Sequence, residues 1–167
     1  MREAGPNVAV AEPAIHFRDM ELKHLPDVTD IERRCYRTPW SEQAFRSELT
    51  RNAYAHYVVA IRGHRLVGYA GMWLILDEAH VTNIAVHPAE RGVGIGESLL
   101  VELEHRAYRN GARRMTLEVR PSNRVAITLY RKRGFVVRGT RRGYYSDTNE
   151  DAVIMWKDAL GDPSAAE

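Results

Sequence analysis

A glycine-rich turn constrains this sequence more than any other feature. The run R-G-V-G-I-G at residues 91–96 follows a strand-like segment at residues 78–86. From Ile95 onward, apolar residues recur at helical spacing as far as Ala107, and Gly111 stands where a C-terminal glycine cap belongs. This order of a strand, a glycine turn and an amphipathic helix is typical of an anion site. The free amides of the first helical turn face the glycine turn, where they could donate to an anion.

Two familiar phosphate-binding loops differ from this turn in their spacing. A nucleotide P-loop has G-x-x-x-x-G-K-[ST], whereas Glu97 and Ser98 follow Gly96 here. A dinucleotide fingerprint has G-x-G-x-x-G in the first βα unit, but this turn follows several strands and its third glycine comes one residue early. The segment is therefore either a plain turn or a pyrophosphate-holding loop of another kind.

The rest of the chain alternates short strand-like and helical segments. Strands are predicted at 15–20, 54–61, 66–76, 78–86, 115–119, 135–137 and 152–156, and helices from Asp27, after Ser41, from Ile95 and at 123–132. The order β-α-α-β-β-β-α-β-α-β-β predicts one mixed α/β sheet with helices on both faces. We expect one domain at 15–158, with a polar insert at 144–151, a flexible leader at 1–14 and a flexible tail at 159–167.

Charge is distributed unevenly along the chain. The 24 Lys and Arg residues nearly balance the 22 Asp and Glu residues, for a formal net charge of +2. Between Ala112 and Arg142, however, ten basic residues accompany only one acidic residue, Glu118. An excess of this size predicts an anionic partner, and nucleic acid, a membrane surface and a phosphate-bearing cofactor all fit it at this point.

Composition narrows the class of protein. Hydrophobic residues make up 44% and charged residues 28% of the 167-residue chain, which is typical of a globular domain. No apolar run reaches the ~18 residues of a membrane span, and residues 1–14 lack the apolar core of a secretory signal. Cys35 is the only cysteine, which favours a cytoplasmic location, and the seven histidines show no metal-ligand spacing. We therefore expect no metal and no membrane partner.

Several segments together resemble a known family. The stretch V-H-P-A-E-R-G-V-G-I-G at residues 86–96 resembles the acetyl-coenzyme A motif of the GCN5-related N-acetyltransferases (GNAT), Q/R-x-x-G-x-G/A. The segments T-N-I-A-V at 82–86, L-E-V-R-P-S-N at 117–123 and A-I-T-L-Y at 126–130 narrow the resemblance to the RimI-type ribosomal-protein-alanine acetyltransferases. It extends from about Ile15 to Trp156. It implies a mostly antiparallel sheet of six to seven strands with a splayed strand pair that holds acetyl-coenzyme A.

The resemblance also assigns residues to the cofactor. Ile84, Ala85 and Val86 would bind the pantetheine arm through the backbone, with the Val86 amide donating to the thioester oxygen. Asn123 would contact the cofactor arm as well. The pyrophosphate would be held, mainly through backbone amides, by Arg91, Gly92, Val93, Gly94, Ile95, Gly96 and Glu97.

The same resemblance gives Glu118 the role of general base and Tyr130 the role of general acid. Simple acid–base chemistry agrees with these roles. Deprotonating an α-amino group at pH 7 costs about 1 kcal/mol, whereas a lysine side chain costs about 4.6 kcal/mol. A single carboxylate therefore suits a protein N-terminus better than a lysine. An unperturbed tyrosine stays protonated at neutral pH and is able to donate to a departing thiolate.

The predicted function is acetyl transfer, in a ternary complex, to the N-terminal alanine of a small-subunit ribosomal protein. The resemblance suggests that Trp40, Tyr144 and Tyr145 line the peptide groove, and the basic segment 112–142 could approach ribosomal RNA. Two alternatives stay open: an acetyltransferase for lysine or small-molecule amines, and a non-catalytic acyl-coenzyme A sensor or ribosome-binding module. The sequence leaves the oligomeric state undetermined.

Overall fold

The structure, a computed structural model, describes residues 11–162. Its elements follow the predicted order. They are β1 (Ile15–Asp19), α1 (Leu25–Cys35), α2 (Glu42–Arg51), β2 (Ala55–Arg62), β3 (Arg65–Ile75), β4 (Glu78–Val86), α3 (Ile95–Arg109), β5 (Arg114–Val119), α4 (Arg124–Lys132), β6 (Val136–Tyr145) and β7 (Glu150–Lys157). Short 3-10 turns at Leu22–His24 and Pro88–Glu90 precede α1 and the glycine turn.

The seven strands form one mixed sheet in the order β1-β2-β3-β4-β5-β7-β6. Every neighbouring pair is antiparallel except β4 and β5, which run parallel. The predicted mixed, mostly antiparallel sheet is confirmed, with seven strands. The single parallel pair lies at the centre of the sheet, and α3 forms its crossover connection.

The helices cover both faces of the sheet, as predicted. On one face, the buried side chains of α1 and α2 pack with Tyr57, Tyr69 and Ala85 of the sheet. On the other face, α3 and α4 pack over a larger core that includes Met72 and Leu117. Because side chains alternate along a strand, one strand supplies residues to both cores.

Strands β4 and β5 diverge soon after they begin to pair. Their parallel pairing joins only Glu78–His80 to Arg114–Thr116, after which β5 continues to pair with β7 as far as Val119. A bulge lies in the same region, because Asn83 pairs with Gly71 whereas Val81 pairs with Met72, so that Thr82 is an extra residue in β4. The predicted splayed pair is thus confirmed. We call the gap between residues 81–86 and 117–119 the cleft.

The ends of the domain and its last strands depart from the expected bounds. Residues 1–10 and 163–167, which belong to the predicted leader and tail, lie outside the described residues. Leu160, in the predicted tail, is 7% exposed, and its amide donates to the Arg113 carbonyl at 2.8 Å. Packing against the core therefore continues past residue 158.

The predicted short strand at 135–137 and polar insert at 144–151 are wrong. Strand β6 runs from Val136 to Tyr145, and β7 already begins at Glu150. The strand was predicted in its place in the chain but too short, because β6 is an edge strand whose side chains are mostly exposed and lacks the apolar alternation that marks a half-buried strand. Helix α1 likewise begins at Leu25 rather than after Asp27, with Pro26 in its first turn.

Candidate active site

The glycine turn opens directly onto helix α3. Gly92 and Gly94 have φ of 84° and 88°, in the left-handed region that favours glycine, and Gly94 is the N-cap of the helix. A Cβ on either glycine would meet nothing within 4 Å, so the requirement is conformational and the space beside the turn is open. The first amides of α3, from Ile95 to Glu97, have no acceptor within the helix. The turn therefore presents free donors to an open space, which is the geometry of an anion site.

The backbone of β4 offers polar groups to the cleft at alternate residues. The His87 amide donates to the Val67 carbonyl of β3 at 2.8 Å. Hydrogen-bonded and non-hydrogen-bonded pairs alternate in an antiparallel ladder, so Ala85 also directs its backbone groups toward β3. The N–H and C=O groups of Ile84 and Val86 consequently face the cleft. Of the three residues predicted to hold a pantetheine arm, these two have the backbone orientation that the role requires.

Side-chain contacts support this orientation independently. The Tyr36 hydroxyl donates to the Ile84 carbonyl at 2.8 Å. The Val86 carbonyl accepts from Arg91 Nε at 3.3 Å and from the Cys35 thiol at 3.4 Å. Arg91 thereby links the glycine turn to the end of β4. Tyr36 belongs to no motif or apolar stripe, and no sequence signal marked it as part of the site.

Glu118 is buried beside the cleft and is paired with a histidine. Its neighbours Leu117 and Val119 point into the core under α3, so Glu118 points to the opposite face, toward α1 and α2. There its Oε2 lies 2.5 Å from Nε2 of His80, a β4 residue, and its Oε1 lies 3.4 Å from Nη2 of Arg141. Its side chain is only 6% exposed. No sequence motif marks His80 as a site residue, because the spacing of the histidines indicates no metal site and His80 lies within an ordinary strand pattern.

The surroundings of Glu118 keep it ionised. Burial on its own would raise the pKa of this carboxyl. The hydrogen bond and charge of His80, together with the charge of Arg141, outweigh burial, and the pKa of Glu118 lies below its usual value. A carboxylate of this kind is ready to accept a proton at neutral pH.

Tyr130 lies on α4, beside Phe135, with ring centroids 5.8 Å apart. Burial raises its pKa to about 12, so the hydroxyl carries its proton throughout the neutral range. Tyr145 lies near both candidate catalytic groups: burial raises the pKa of Tyr145, and Tyr144, Glu118 and Tyr130 raise it further. Glu118 of β5 and Tyr130 of α4 are thus both within electrostatic range of Tyr145.

The aromatic residues predicted to line a groove divide into two groups. Tyr144 and Tyr145 pack edge to face with centroids 5.0 Å apart, and the guanidinium of Arg120 lies 4.0 Å from the Tyr145 ring. Tyr144 is 46% exposed and therefore open to a ligand. Trp40 is half-buried, and its ring lies 5.4 Å from Phe45 in the core beneath α1 and α2.

Asn123 caps helix α4, its side-chain oxygen accepting from the Ala126 amide at 3.2 Å. This local role accounts for an asparagine at the helix start. The residue is exposed in the turn between β5 and α4. Its predicted contact with a cofactor arm stays a prediction.

Most of the basic segment is neutralised within the protein. Six of the ten cations form salt bridges, and six of their seven acidic partners lie outside residues 112–142. The pairs are Arg114–Glu78, Arg120–Asp147, Arg120–Glu150, Lys132–Glu97, Arg133–Glu104, Arg138–Asp158 and Arg141–Glu118. The other four cations have no salt-bridge partner within residues 11–162; they are Arg113, Arg124, Arg131 and Arg142. These four are the cations of the segment that remain for an external anion.

Residues 11–162 contain neither a candidate metal site nor a candidate membrane-spanning helix. In residues 11–162, no group of three or more His, Cys, Asp or Glu side chains is arranged to hold a metal ion. Over the same residues, no helix has both the length and the apolar character needed to cross a membrane.

Comparison with known proteins agrees with the geometry. The sequence model of the Acetyltransferase (GNAT) family matches residues 25–135. The N-alpha-acetyltransferase RimI of Mycobacterium tuberculosis is 45% identical over 130 residues, which are 75% of this chain and 79% of that protein. The [ribosomal protein bS18]-alanine N-acetyltransferase of Escherichia coli K12 is 38% identical over 138 residues, covering 81% of this chain and 92% of that one.

A solved structure is similar over nearly the whole fold. The crystal structure of the ribosomal-protein-S18-alanine N-acetyltransferase from Escherichia coli superposes with a TM-score of 0.81 and 32% sequence identity. The match covers 92% of this chain and 99% of that chain. The resemblance stated from the sequence motifs is thereby confirmed.

Proposed function

The chain belongs to the acetyltransferase (GNAT) family, and from this premise we propose that it acetylates the α-amino group of a protein N-terminus. The proposed acceptor is the N-terminal alanine of a ribosomal protein of the bS18 type, because one of the relatives described above is named a [ribosomal protein bS18]-alanine N-acetyltransferase and the other an N-alpha-acetyltransferase. Ribosomal proteins are assembled in the cytoplasm, so we place the reaction there.

One observation carries the proposal: an ionised, buried carboxylate lies beside a cleft in the sheet, with the glycine turn at the end of one cleft strand. Glu118 is supplied by β5, and the turn follows β4 through Val86 and Arg91. An acceptor amine on the α1 and α2 face could reach Glu118, while a long donor molecule lies along β4 with its anionic end at α3. This separation suits a transfer between two substrates bound together.

The residues present fit acetyl-coenzyme A. The open space at Gly92 and Gly94 leaves room for a pyrophosphate, and the first-turn amides of α3 would donate to it. The cleft-facing amide and carbonyl groups of Ile84 and Val86 would pair with the amides of a pantetheine arm. Acetyl-coenzyme A would supply the acetyl group as a thioester.

The chain's own residues then handle the protons. Glu118 would accept a proton from the ammonium group of the acceptor, directly or through one water, so that the neutral amine can form the amide bond as the thioester C–S bond breaks. Tyr130, whose pKa is raised to about 12 by burial, would donate its proton to the departing thiolate and regain one from the nitrogen of the new amide, while Glu118 returns its proton to solvent. The Val86 amide faces the cleft, where it can donate to the thioester oxygen.

The pKa of the acceptor ammonium group determines which amines suit this site. Glu118 has a lowered pKa and is a weak base, so it suits an acceptor that loses its proton easily. An α-ammonium group, with a pKa of about 7.7–8.0, loses its proton far more easily than a lysine side chain at about 10.4. The site therefore favours N-termini over lysines. The exposed ring of Tyr144 and the neighbouring Tyr145 would pack against the first residues of the acceptor.

The test is a comparison of acetylation rates on matched acceptors. We would measure thiol release with an Ala-starting peptide that contains a lysine, with the same peptide N-terminally blocked, and with free lysine. The proposal predicts turnover on the first peptide only. Equal turnover on the blocked peptide would assign the activity to lysine instead. Tight binding of acetyl-coenzyme A with no turnover on any amine would support a sensor rather than an enzyme.

A further inference from the structure

A chain of polar and aromatic contacts leads from helix α2 to the His80–Glu118 pair. It begins at Glu48, a half-buried α2 residue whose Oε2 accepts from Trp73 Nε1 at 2.7 Å and from the Tyr57 hydroxyl at 3.1 Å. Asn52 Nδ2 lies 3.3 Å from the other carboxylate oxygen. Glu48 is thus fully occupied by donors from its own chain, which fixes it and the indole that it holds.

Trp73 carries the contact across the sheet to the histidine. Strands β3 and β4 pair Trp73 directly with His80, so the two side chains lie on the same face. Their rings meet edge to face, with centroids 6.0 Å apart and an interplanar angle of 89°. His80 is therefore held on one side by Trp73 and on the other by Glu118 Oε2 at 2.5 Å.

From this arrangement we propose that Trp73 and Glu48 are positioning residues for acetyl transfer: they hold the His80 imidazole in the orientation that pairs with Glu118. The inference rests on the proposed function, because it assumes that Glu118 is the base. An imidazole turns about two side-chain torsions, and each lost rotamer is an entropic cost of forming its hydrogen bond. A ring already fixed by Trp73 has lost that freedom before the acceptor arrives.

The charged and titratable groups around the pair determine the expected pH effect. Glu118 faces His80 from β4 and Arg141, Tyr144 and Tyr145 from β6. Trp73 from β3 faces His80, and Glu48 from α2 and Tyr57 from β2 lie behind Trp73. Since His80 and Arg141 lower the pKa of Glu118, loss of a positioned His80 raises that pKa. The acidic limb of the pH–rate profile then moves to higher pH.

The experiment is a double-mutant cycle on the purified full chain, with an Ala-starting peptide as acceptor. Trp73→Leu removes the aromatic edge, and His80→Ala removes the imidazole. We expect each single variant to lower kcat about tenfold and to move the acidic limb upward by about one pH unit, with KM for acetyl-coenzyme A unchanged. The double variant should be no worse than His80→Ala, because Trp73 acts through His80.

Two further variants separate positioning from packing. Tyr57→Phe removes another hydrogen bond to the same carboxylate, Glu48, together with a contact to Thr82, but keeps the Trp73–His80 ring contact, so the acidic limb of the pH–rate profile is expected to stay in place. Glu48→Gln keeps an acceptor for the indole and should rescue most of the activity that Glu48→Ala loses. Two results would overturn the proposal. One is an equal shift of the acidic limb of the pH–rate profile in Tyr57→Phe. The other is that Trp73→Leu lowers kcat as much in the His80→Ala background as it does in the parent protein.

A readout that needs no acceptor keeps this inference separate from the proposed function. NMR of the His80 ring should show one fixed orientation in the parent protein. In Trp73→Leu the same ring signals should show averaging between orientations. Such a change supports positioning even if the parent protein acetylates no peptide, in which case only the proposed function fails. An unchanged ring orientation of His80 in a folded Trp73→Leu would contradict the positioning role.

Discussion

The side chains of His80 and Glu118, 38 residues apart in the chain, meet with Nε2 and Oε2 separated by 2.5 Å. His80 is the last β4 residue that pairs with β5, opposite Thr116, and Glu118 lies two residues farther along β5, where the two strands diverge. The pairing therefore sets an ionised carboxylate at the mouth of the cleft. It also means that changes at either residue alter the proton chemistry of the other.

Removing the charge of Glu118 should abolish most turnover. Glu118→Gln preserves side-chain volume and an acceptor for His80 but takes no proton from the acceptor amine. We expect kcat to fall by about 10²–10⁴, the usual contribution of a general base, while binding of acetyl-coenzyme A measured by calorimetry is unchanged. Glu78→Gln, on the same pair of strands but 38% exposed, is the matched control and should keep its activity. Parent-like turnover in Glu118→Gln would remove it from the base role.

Tyr130 is expected to act in the chemical step alone. Tyr130→Phe keeps the contact with Phe135 and removes only the hydroxyl. We expect kcat to fall by about 10² or more, with KM for acetyl-coenzyme A unchanged, because the thiolate then leaves without a donor. Tyr54→Phe, at a 56% exposed tyrosine, controls for loss of a hydroxyl. If Tyr130→Phe raised KM and spared kcat, the hydroxyl would be a binding group instead.

Glu32 should make stability depend on pH. Burial raises its pKa to about 7, against a hydrogen bond from the Trp40 amide that lowers it. The folded state then binds more protons than the unfolded state between about pH 4.5 and 7, so stability is greatest below this window and falls as pH rises through it. Glu32→Gln should flatten this dependence. The free energy of unfolding by urea is measured at pH 5 and pH 8 for both proteins. If this free energy depended on pH in Glu32→Gln as it does in the parent protein, the role of Glu32 would be contradicted.

A buried ionic cluster ties α3 to the segments that carry Tyr130 and β7. Glu104, 6% exposed, lies 2.6 Å from Arg133 Nη2 and 2.6 Å from Lys157 Nζ. Glu104→Ala leaves two cations without their partner and should reduce the free energy of unfolding by about 3–5 kcal/mol. Glu42→Ala, which breaks an exposed pair with Arg46, should cost less than about 0.5 kcal/mol. Denaturant unfolding measures the free energy of unfolding of both variants. Similar losses in the two would contradict a stabilising role for the Glu104 cluster.

The parts of the fold that could be predicted are those with local signals. Helix α3 follows from its glycine turn and apolar period, and its N-cap at Gly94 lies where the turn indicated. The full length of strand β6 could not be predicted, because an exposed edge strand is not required to alternate apolar and polar residues. The error in β6 does not affect the family resemblance, because the motifs that carry it lie on β4, β5, α3 and α4.

Some residues of the candidate site could be proposed from the sequence, but their arrangement could not. Glu118 and Tyr130 came from motif positions, whereas His80 and Tyr36 have no motif of their own. Their contacts depend on which strands pair, in what register, and where β4 bulges at Thr82. A single sequence contains no local signal for any of these three properties. The same holds for the salt bridges that neutralise most of the basic segment.

Acetylation of the N-terminal alanine of a bS18-type ribosomal protein is the reaction that we propose for this chain. Mass spectrometry can follow that N-terminus in cells that carry the parent gene, no gene, or the Glu118→Gln variant. We expect an acetylated N-terminus with the parent gene and a free one in the other two strains. An N-terminus that is equally acetylated in all three would contradict it.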